Sequence, residues 1–165
     1  VVDNTNRTEA RYWIDDFLRV RQRQDNYHNT HNTLAMCKKY VTKHLSKEFE
    51  VSKADQAELL NETMKYFQEQ ESFSMDDFSE KVIRQPEVVE SFTRFRQEYE
   101  QDRDIRIEDE FGISDSAVKK QARSYKSVIK LDRNFHIYVH GNRNLLEQGE
   151  DEKGKFYKVY YEKEE

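Results

Sequence analysis

The sequence is poor in the residues that characterise secreted, turn-rich and membrane proteins. Its 165 residues include one cysteine, one proline and four glycines. The single cysteine, Cys37, permits no internal disulfide, and there is neither a secretory segment nor an apolar run of membrane-spanning length. These absences favour a reducing cytoplasm and exclude a membrane role. So little proline and glycine argues against a turn-rich all-β chain and favours long helices.

Charged and aromatic residues are abundant instead. Charged residues make up 37% of the chain, hydrophobic residues 35% and aromatic residues 13%, with a formal net charge of −5. This composition predicts a modest core and large solvated faces, while the aromatic content is too high for a disordered acidic segment. The chain opens with Val1, Val2 and Asp3 and no initiating methionine, so we expect it to be part of a longer protein.

Apolar residues recur at helical spacing through the first two thirds of the chain. The pattern predicts helices at residues 8–20, at 34–45 after a polar linker at 22–33, after Ser52, from Ser74, at 87–104 with Pro86 in a first turn, and from Ser114 to about Arg123. Cys37 lies on an apolar stripe and is predicted to be a core residue.

From Tyr125 onward, apolar residues recur at every second position instead of every third or fourth. Alternation predicts strands at residues 125–131 and 135–140, joined by a short polar turn, and a third strand at 156–161 after a glycine-bearing loop at 141–154. The predicted fold class is therefore α+β: a mostly helical body followed by a small C-terminal antiparallel three-stranded β-meander. The residues predicted to face the helices are Ile129, Leu131, Phe135, Ile137 and Val139.

The change of period also predicts the domain organisation. We expect residues 1–112 to form a helical region, and residues 113–165 to form a capped short helix and the meander. We expect the second region to pack with the helices as one unit.

Positive charge is concentrated in the predicted hairpin of this acidic chain. Residues 119–143 carry a formal charge of about +6, whereas residues 98–115 carry about −6. Cations that alternate with aromatic residues on the solvent-exposed face of a sheet are typical of a surface that binds the phosphate backbone of nucleic acid. The candidate nucleic-acid-binding residues are Lys119, Lys120, Arg123, Lys126, Lys130, Arg133, His136, Tyr138, His140 and Arg143. The competing interpretation is structural, because these cations could pair with the acidic helix before them.

The C-terminal third of the chain also resembles a known family. The run ISDSAVKKQARSYKSVIKLDRNFHIYVHGNR at residues 113–143, the acidic loop after it and FYKVYYEKE at 156–164 resemble the end of the bacterial 37-kilodalton nucleoid-associated protein family, in its Bacteroides-like form. The resemblance implies a non-enzymatic protein of the cytoplasmic nucleoid that associates with DNA, with proteins acting on DNA as further partners. Family members are about twice as long, and the resemblance supplies no established set of binding residues.

Two other binding functions stay open. The segment EFGISDSAVKKQAR at residues 110–123, with a hairpin after it, has the outline of a winged helix-turn-helix, although Glu108 stands where close helix packing needs a small residue. Alternatively, the charged helices and the tyrosines of the last strand, Tyr157, Tyr160 and Tyr161, could serve a protein-interaction module or a homo-oligomer.

No catalytic, metal or cofactor site is predicted. His28, His31, Cys37 and His44 match no compact zinc spacing, and the first two fall in the predicted linker. His136 and His140 would lie about 13 Å apart along one strand, too far to share an ion. The chain also lacks a glycine-rich phosphate loop and a nucleophile elbow.

Overall fold

A mostly helical body is followed by two β-hairpins in the computed structural model, which describes residues 25–125, 128–139 and 143–163. The helices are α1 (Asn26–Lys39), α2 (Leu45–Glu48), α3 (Lys53–Glu69), α4 (Met75–Phe78), α5 (Pro86–Arg103) and α6 (Asp115–Ala122). A π-helical segment, Tyr40–His44, joins α1 to α2, and a second, Ser79–Ile83, extends α4.

Local capping chemistry determines where the main helices begin and end. The carboxylate of Asp25 accepts the backbone N–H of His28 at 3.0 Å and caps α1. Ser52 and Asp55 form a reciprocal capping box at the start of α3. Pro86 occupies the first turn of α5, and Asp104 closes that helix in the left-handed conformation, with φ of 53°.

Six short strands form three separate antiparallel pairs in the described residues. They are β1 (Ser72–Ser74) with β2 (Glu110–Gly112), β3 (Val128–Leu131) with β4 (Phe135–Tyr138), and β5 (Leu146–Asp151) with β6 (Gly154–Val159). The first pair holds the connection before α6 against the body, and its facing rings, Phe73 and Phe111, stack at 4.8 Å between centroids.

The core has two parts. The larger joins aromatic side chains of the helices, among them Tyr40, Phe67, Phe78, Phe92 and Tyr99. The smaller lies beside α3, where Ala54 and Ala57 pack with Ile129, Val139 and Leu146. Because the two alanines are small, both hairpins approach the N-terminal half of α3 closely.

The structure confirms the α+β class and most of the predicted helices. Helices are present after Ser52, from Ser74, after Gln85 and after Ser114, and α1, the π-helical segment and the start of α2 together cover residues 34–45. The predicted helix at residues 8–20 lies outside the described residues.

Two predictions about the chain path are wrong. Residues 26–33 belong to α1 instead of a linker, because Thr30 and Thr33 are buried with their hydroxyls bonded to carbonyl oxygens one turn back, at 2.6 and 2.8 Å. The predicted three-stranded meander does not form in the described residues. The strand β6 pairs with β5, which replaces part of the predicted glycine-bearing loop, and not with β4.

Candidate nucleic-acid interface

The first part of the candidate interface is α6, which turns one face to the body and one to solvent. Ala117 and Val118 are buried against the helices, and the backbone N–H of Ser114 donates to Thr30 Oγ1 at 3.0 Å. After the helix, the buried Tyr125 hydroxyl donates to the carbonyl of Leu34 on α1. These contacts fix the rotation of α6 about its axis. Lys119 and Lys120 on the helix and Arg123 at its C-cap are all exposed on the opposite side.

The second part is the hairpin of β3 and β4. Ile129 and Ile137 face each other across the strands and pack on the alanines of α3, while Asn61 Nδ2 of α3 donates to the Val139 carbonyl at 3.1 Å. Because neighbouring side chains alternate between faces, the cross-strand partners Lys130 and His136 lie on the opposite face, and both are exposed.

A tight polar turn at residues 132–134 joins β3 to β4. Asp132 has a positive φ of 44°, and its carboxylate accepts the backbone N–H of Asn134 at 2.7 Å. Arg133 lies at the centre of the turn and is exposed. The acid of the turn is therefore engaged in local structure, and the cation beside it points to solvent.

Aromatic side chains near the turn are exposed as well. Tyr138 has 58% of its surface exposed and Phe135 has 65%. The prediction that Phe135 packs on the helices is therefore wrong, although Ile129, Leu131, Ile137 and Val139 do belong to the smaller core. The physical reason is that α3 supports the middle of the hairpin, whereas Phe135 adjoins the turn and lies outside that core.

Salt bridges involve several cations of the helical body but none of the described cations of this region. In residues 25–125, 128–139 and 143–163, no salt bridge includes Lys119, Lys120, Arg123, Lys130 or Arg133. Two acids of the preceding flank pair with a cation of α5. Glu100 and Asp109 both pair with Arg96, at 3.4 and 2.5 Å. The alternative in which the basic hairpin pairs with the acidic helix has no such contact among the described residues.

A further group of positive charges surrounds His31 on α1. Gln121 Nε2 of α6 donates to His31 Nδ1 at 2.8 Å. Partial burial lowers the pKa of His31, and the positive charges of Lys120, His28 and Arg103 lower it further. Sequence reasoning missed this group because its members come from α1, α5 and α6, so no spacing along the chain reveals it.

A cation–aromatic cluster lies beside the charges around His31 and shares Arg103 with them. The ring of Tyr99 on α5 is flanked by Lys39 Nζ at 5.3 Å and Arg103 Cζ at 4.5 Å from its centroid. Both cations are exposed. Nothing in the sequence pattern predicted the cationic neighbours of Tyr99, because Lys39 comes from another helix.

The ten predicted site residues fall into two groups and a remainder. Lys119 and Lys120 lie on α6 and Arg123 follows its last residue, while Lys130, Arg133, His136 and Tyr138 belong to the β3–β4 hairpin. Arg143 begins a short 3₁₀ helix, Arg143–Leu145. Lys126 and His140 lie outside the described residues.

Metal, thiol and membrane chemistry have no support in the part of the chain that the structure describes. No group of three or more His, Cys, Asp or Glu side chains there could hold a metal ion. His28 and His31 lie on α1, and burial raises the pKa of the Cys37 thiol well above its usual range. No described helix is long and apolar enough to cross a membrane.

The winged helix-turn-helix alternative is wrong. That motif needs two helices joined by a turn of a few residues. Here α5 ends at Arg103, and Gly112 lies in β2, which pairs with β1 before α6 begins. A strand therefore stands where the first helix of the motif would be.

Fold and surface together define a helical α+β protein in which a hairpin and an adjacent helix expose cations that have no acidic partner among the described residues. The family model described as nucleoid-associated protein YejK matches residues 1–163, so the chain belongs to this family. Membership confirms the resemblance found in the sequence, and with it a bacterial protein of the nucleoid, in the cytoplasm. Searches of curated proteins and of solved structures found no match.

Proposed function

We propose that this protein binds DNA mainly through its phosphate backbone, without preference for base sequence and without catalysing a reaction. The proposed contact surface, called the cationic surface below, comprises Lys119, Lys120, Arg123, Lys130, Arg133, His136 and Tyr138. From the sequence we add Lys126, His140 and Arg143 to it.

The observation that carries the proposal is the set of exposed cations that have no salt bridge among the described residues, on a chain of net charge −5. Some cations of the body, among them Lys81 and Arg94, have acidic partners at 2.8 and 3.1 Å. A cation without a partner keeps its charge available for a phosphate, and neutralising phosphates releases the counterions condensed on DNA. Family membership supports the same role, since the family is nucleoid-associated.

The proposal is tested by removing two cations of the hairpin. Replacing Lys130 and Arg133 by Gln should weaken binding to duplex DNA and reduce the slope of log affinity against log salt by about 2, at about 0.9 for each lost phosphate contact. Both side chains are exposed, so we expect the fold to be unaffected.

A matched control carries the same change of net charge elsewhere. In Lys81→Gln with Lys158→Gln, the lost cations already have partners, Asp77 at 2.8 Å and Glu147 at 3.7 Å. This control should keep the parent slope. Equal slopes for the two double variants would show that affinity follows net charge alone, and the proposed surface would be wrong.

A second candidate function is docking of a protein, including another copy of the chain. It rests on the C-terminal segment, where Val159, Tyr160 and Tyr161 are exposed at 52%, 41% and 70%. Apolar contacts depend little on ionic strength, whereas phosphate contacts weaken steeply with salt. Sedimentation of the chain at low and high salt distinguishes the two, because a self-association that persists at high salt would support docking.

A further inference from the structure

The tip of the β3–β4 hairpin exposes an aromatic ring. Electrostatic binding of the DNA phosphate backbone does not require such a ring. Phe135 is 65% exposed beside the turn, and no ring or cation–π contact within the described ranges includes it. A phenyl ring left in water forgoes the stabilisation that burial would bring. The cations nearby explain phosphate binding but give no reason for an apolar side chain at this position.

The charge around Phe135 restricts what could cover it. Arg133 lies in the same turn two residues before Phe135, Lys130 and His136 lie on the opposite face of the strand pair, and the carboxylate of Asp132 accepts a hydrogen bond from the backbone of Asn134. These surroundings favour a partner that carries negative charge next to a flat apolar surface. Nucleic acid has both, because each phosphate is joined to a base with an exposed face once the base is unstacked.

The geometry of the hairpin fits the same partner. A two-stranded β-ribbon can enter a groove of DNA, and apolar side chains on such elements insert between base steps in many architectural proteins. Here Lys130 and His136 lie on one face, and Phe135 opposes Leu131 on the other face beside the turn. One face can therefore contact phosphates while the ring reaches the bases.

We propose that Phe135 stacks on or between bases, so that the protein prefers DNA whose base steps are unstacked or easily opened over uniform duplex. The inference rests on the proposed DNA binding and adds the structural class of DNA that the site selects. It concerns base stacking and not base identity, so it is compatible with binding that ignores sequence.

The test compares the full chain with two alanine variants on two probes. The variants are Phe135→Ala and, as a matched control, Tyr161→Ala, which removes a 70% exposed ring from the segment after β6. The probes are a fully paired duplex and the same duplex with a mismatched step at its centre. The parent and Tyr161→Ala should bind the mismatched probe about 5-fold more tightly or better, and Phe135→Ala should lose that preference.

A second readout reports stacking directly. A 2-aminopurine placed at the mismatched step should change its fluorescence when the parent binds and not when Phe135→Ala binds. Phe135→Trp, which keeps a planar ring, should retain the preference. The salt slope of Phe135→Ala should equal that of the parent, since no phosphate contact is removed.

The outcomes distinguish this inference from the function on which it rests. If all proteins bind with the parent salt slope and none prefers the mismatched probe, backbone binding stands and the role of Phe135 is overturned. If Phe135→Ala keeps the preference for the mismatched probe, the Phe135 ring does not cause that preference and its proposed role is overturned. If Phe135→Ala instead alters self-association in sedimentation with DNA binding unchanged, the tip contacts protein. If the parent shows no salt-dependent DNA binding, both proposals fail.

Discussion

At the scale of single residues, buried polar side chains determine features that hydrophobic spacing does not reveal. Asn29, Thr30 and Thr33 are almost fully buried on α1, where the two threonine hydroxyls bond to backbone carbonyls one turn earlier. A buried hydroxyl that has its hydrogen bond costs little, so a polar stretch can form the inner face of a helix. Because these inward-facing residues are polar, hydrophobic spacing predicted a linker at residues 26–33.

The same region gives a prediction about pH. Burial and neighbouring cations lower the pKa of His31 below its usual 6.5, so the unfolded chain takes up this proton at higher pH than the folded chain does. The contribution of His31 to stability should therefore be lost as the pH falls below about 6.5. Unfolding by urea, measured from about pH 7.5 to about pH 5, should show a smaller loss of stability for His31→Gln than for the parent. Parallel curves for the two proteins would contradict this account of His31.

At the scale of elements, caps and periodicity carry most of the predictable information. Ser52, Pro86 and Ser114 each precede or open a helix that the structure confirms. The strands β1 and β2 have three residues each, too few to show alternation, and Gly149 interrupts the pattern of β5. The pairing of β6 with β5 depends on which strand is adjacent in space, so alternation alone could not select it. The two cation groups of the candidate site were predictable because each is local in sequence.

The two serine caps provide a prediction with its own control. Ser52 Oγ accepts the backbone N–H of Asp55 at 3.0 Å, whereas the Ser114 side chain bonds to Ser116 Oγ and caps no backbone group. Ser52→Ala should therefore lower the free energy of unfolding by about 1 kcal/mol, and Ser114→Ala by clearly less. Urea unfolding of both variants measures the difference. A larger loss for Ser114→Ala would show that the cap assignment is wrong.

The β5–β6 hairpin depends on a close approach across its strands. Gly149 faces Phe156 in the register, and a Cβ at Gly149 would lie 2.5 Å from the ring atom Cζ. Gly149→Ala should displace the ring and destabilise this hairpin by about 1 kcal/mol, because the overlap has to be relieved. Hydrogen exchange should become faster for the amides of β5 and β6, while α5 should keep the exchange rates of the parent. Unchanged protection in both strands would contradict the packing.

At the scale of the whole molecule, the distribution of charge matters more than its total. A chain of net charge −5 would be repelled by DNA if its charges were evenly spread. Here Arg96 binds two acids of the 98–110 flank, while the cations of α6 and the β3–β4 hairpin have no acidic partner in the described ranges. We expect the acidic body to limit indiscriminate binding, which makes the affinity of the cationic surface modest and sensitive to salt.

The salt dependence of DNA binding by the parent chain tests this account most directly. Affinity for duplexes of unrelated sequence should be similar, and log affinity against log salt should fall with a slope near −4.5, as expected for about five phosphate contacts. Titrations of two such duplexes over a range of salt concentrations provide both values. A slope near zero, or binding confined to one of the sequences, would contradict the central claim that the cationic surface contacts the phosphate backbone.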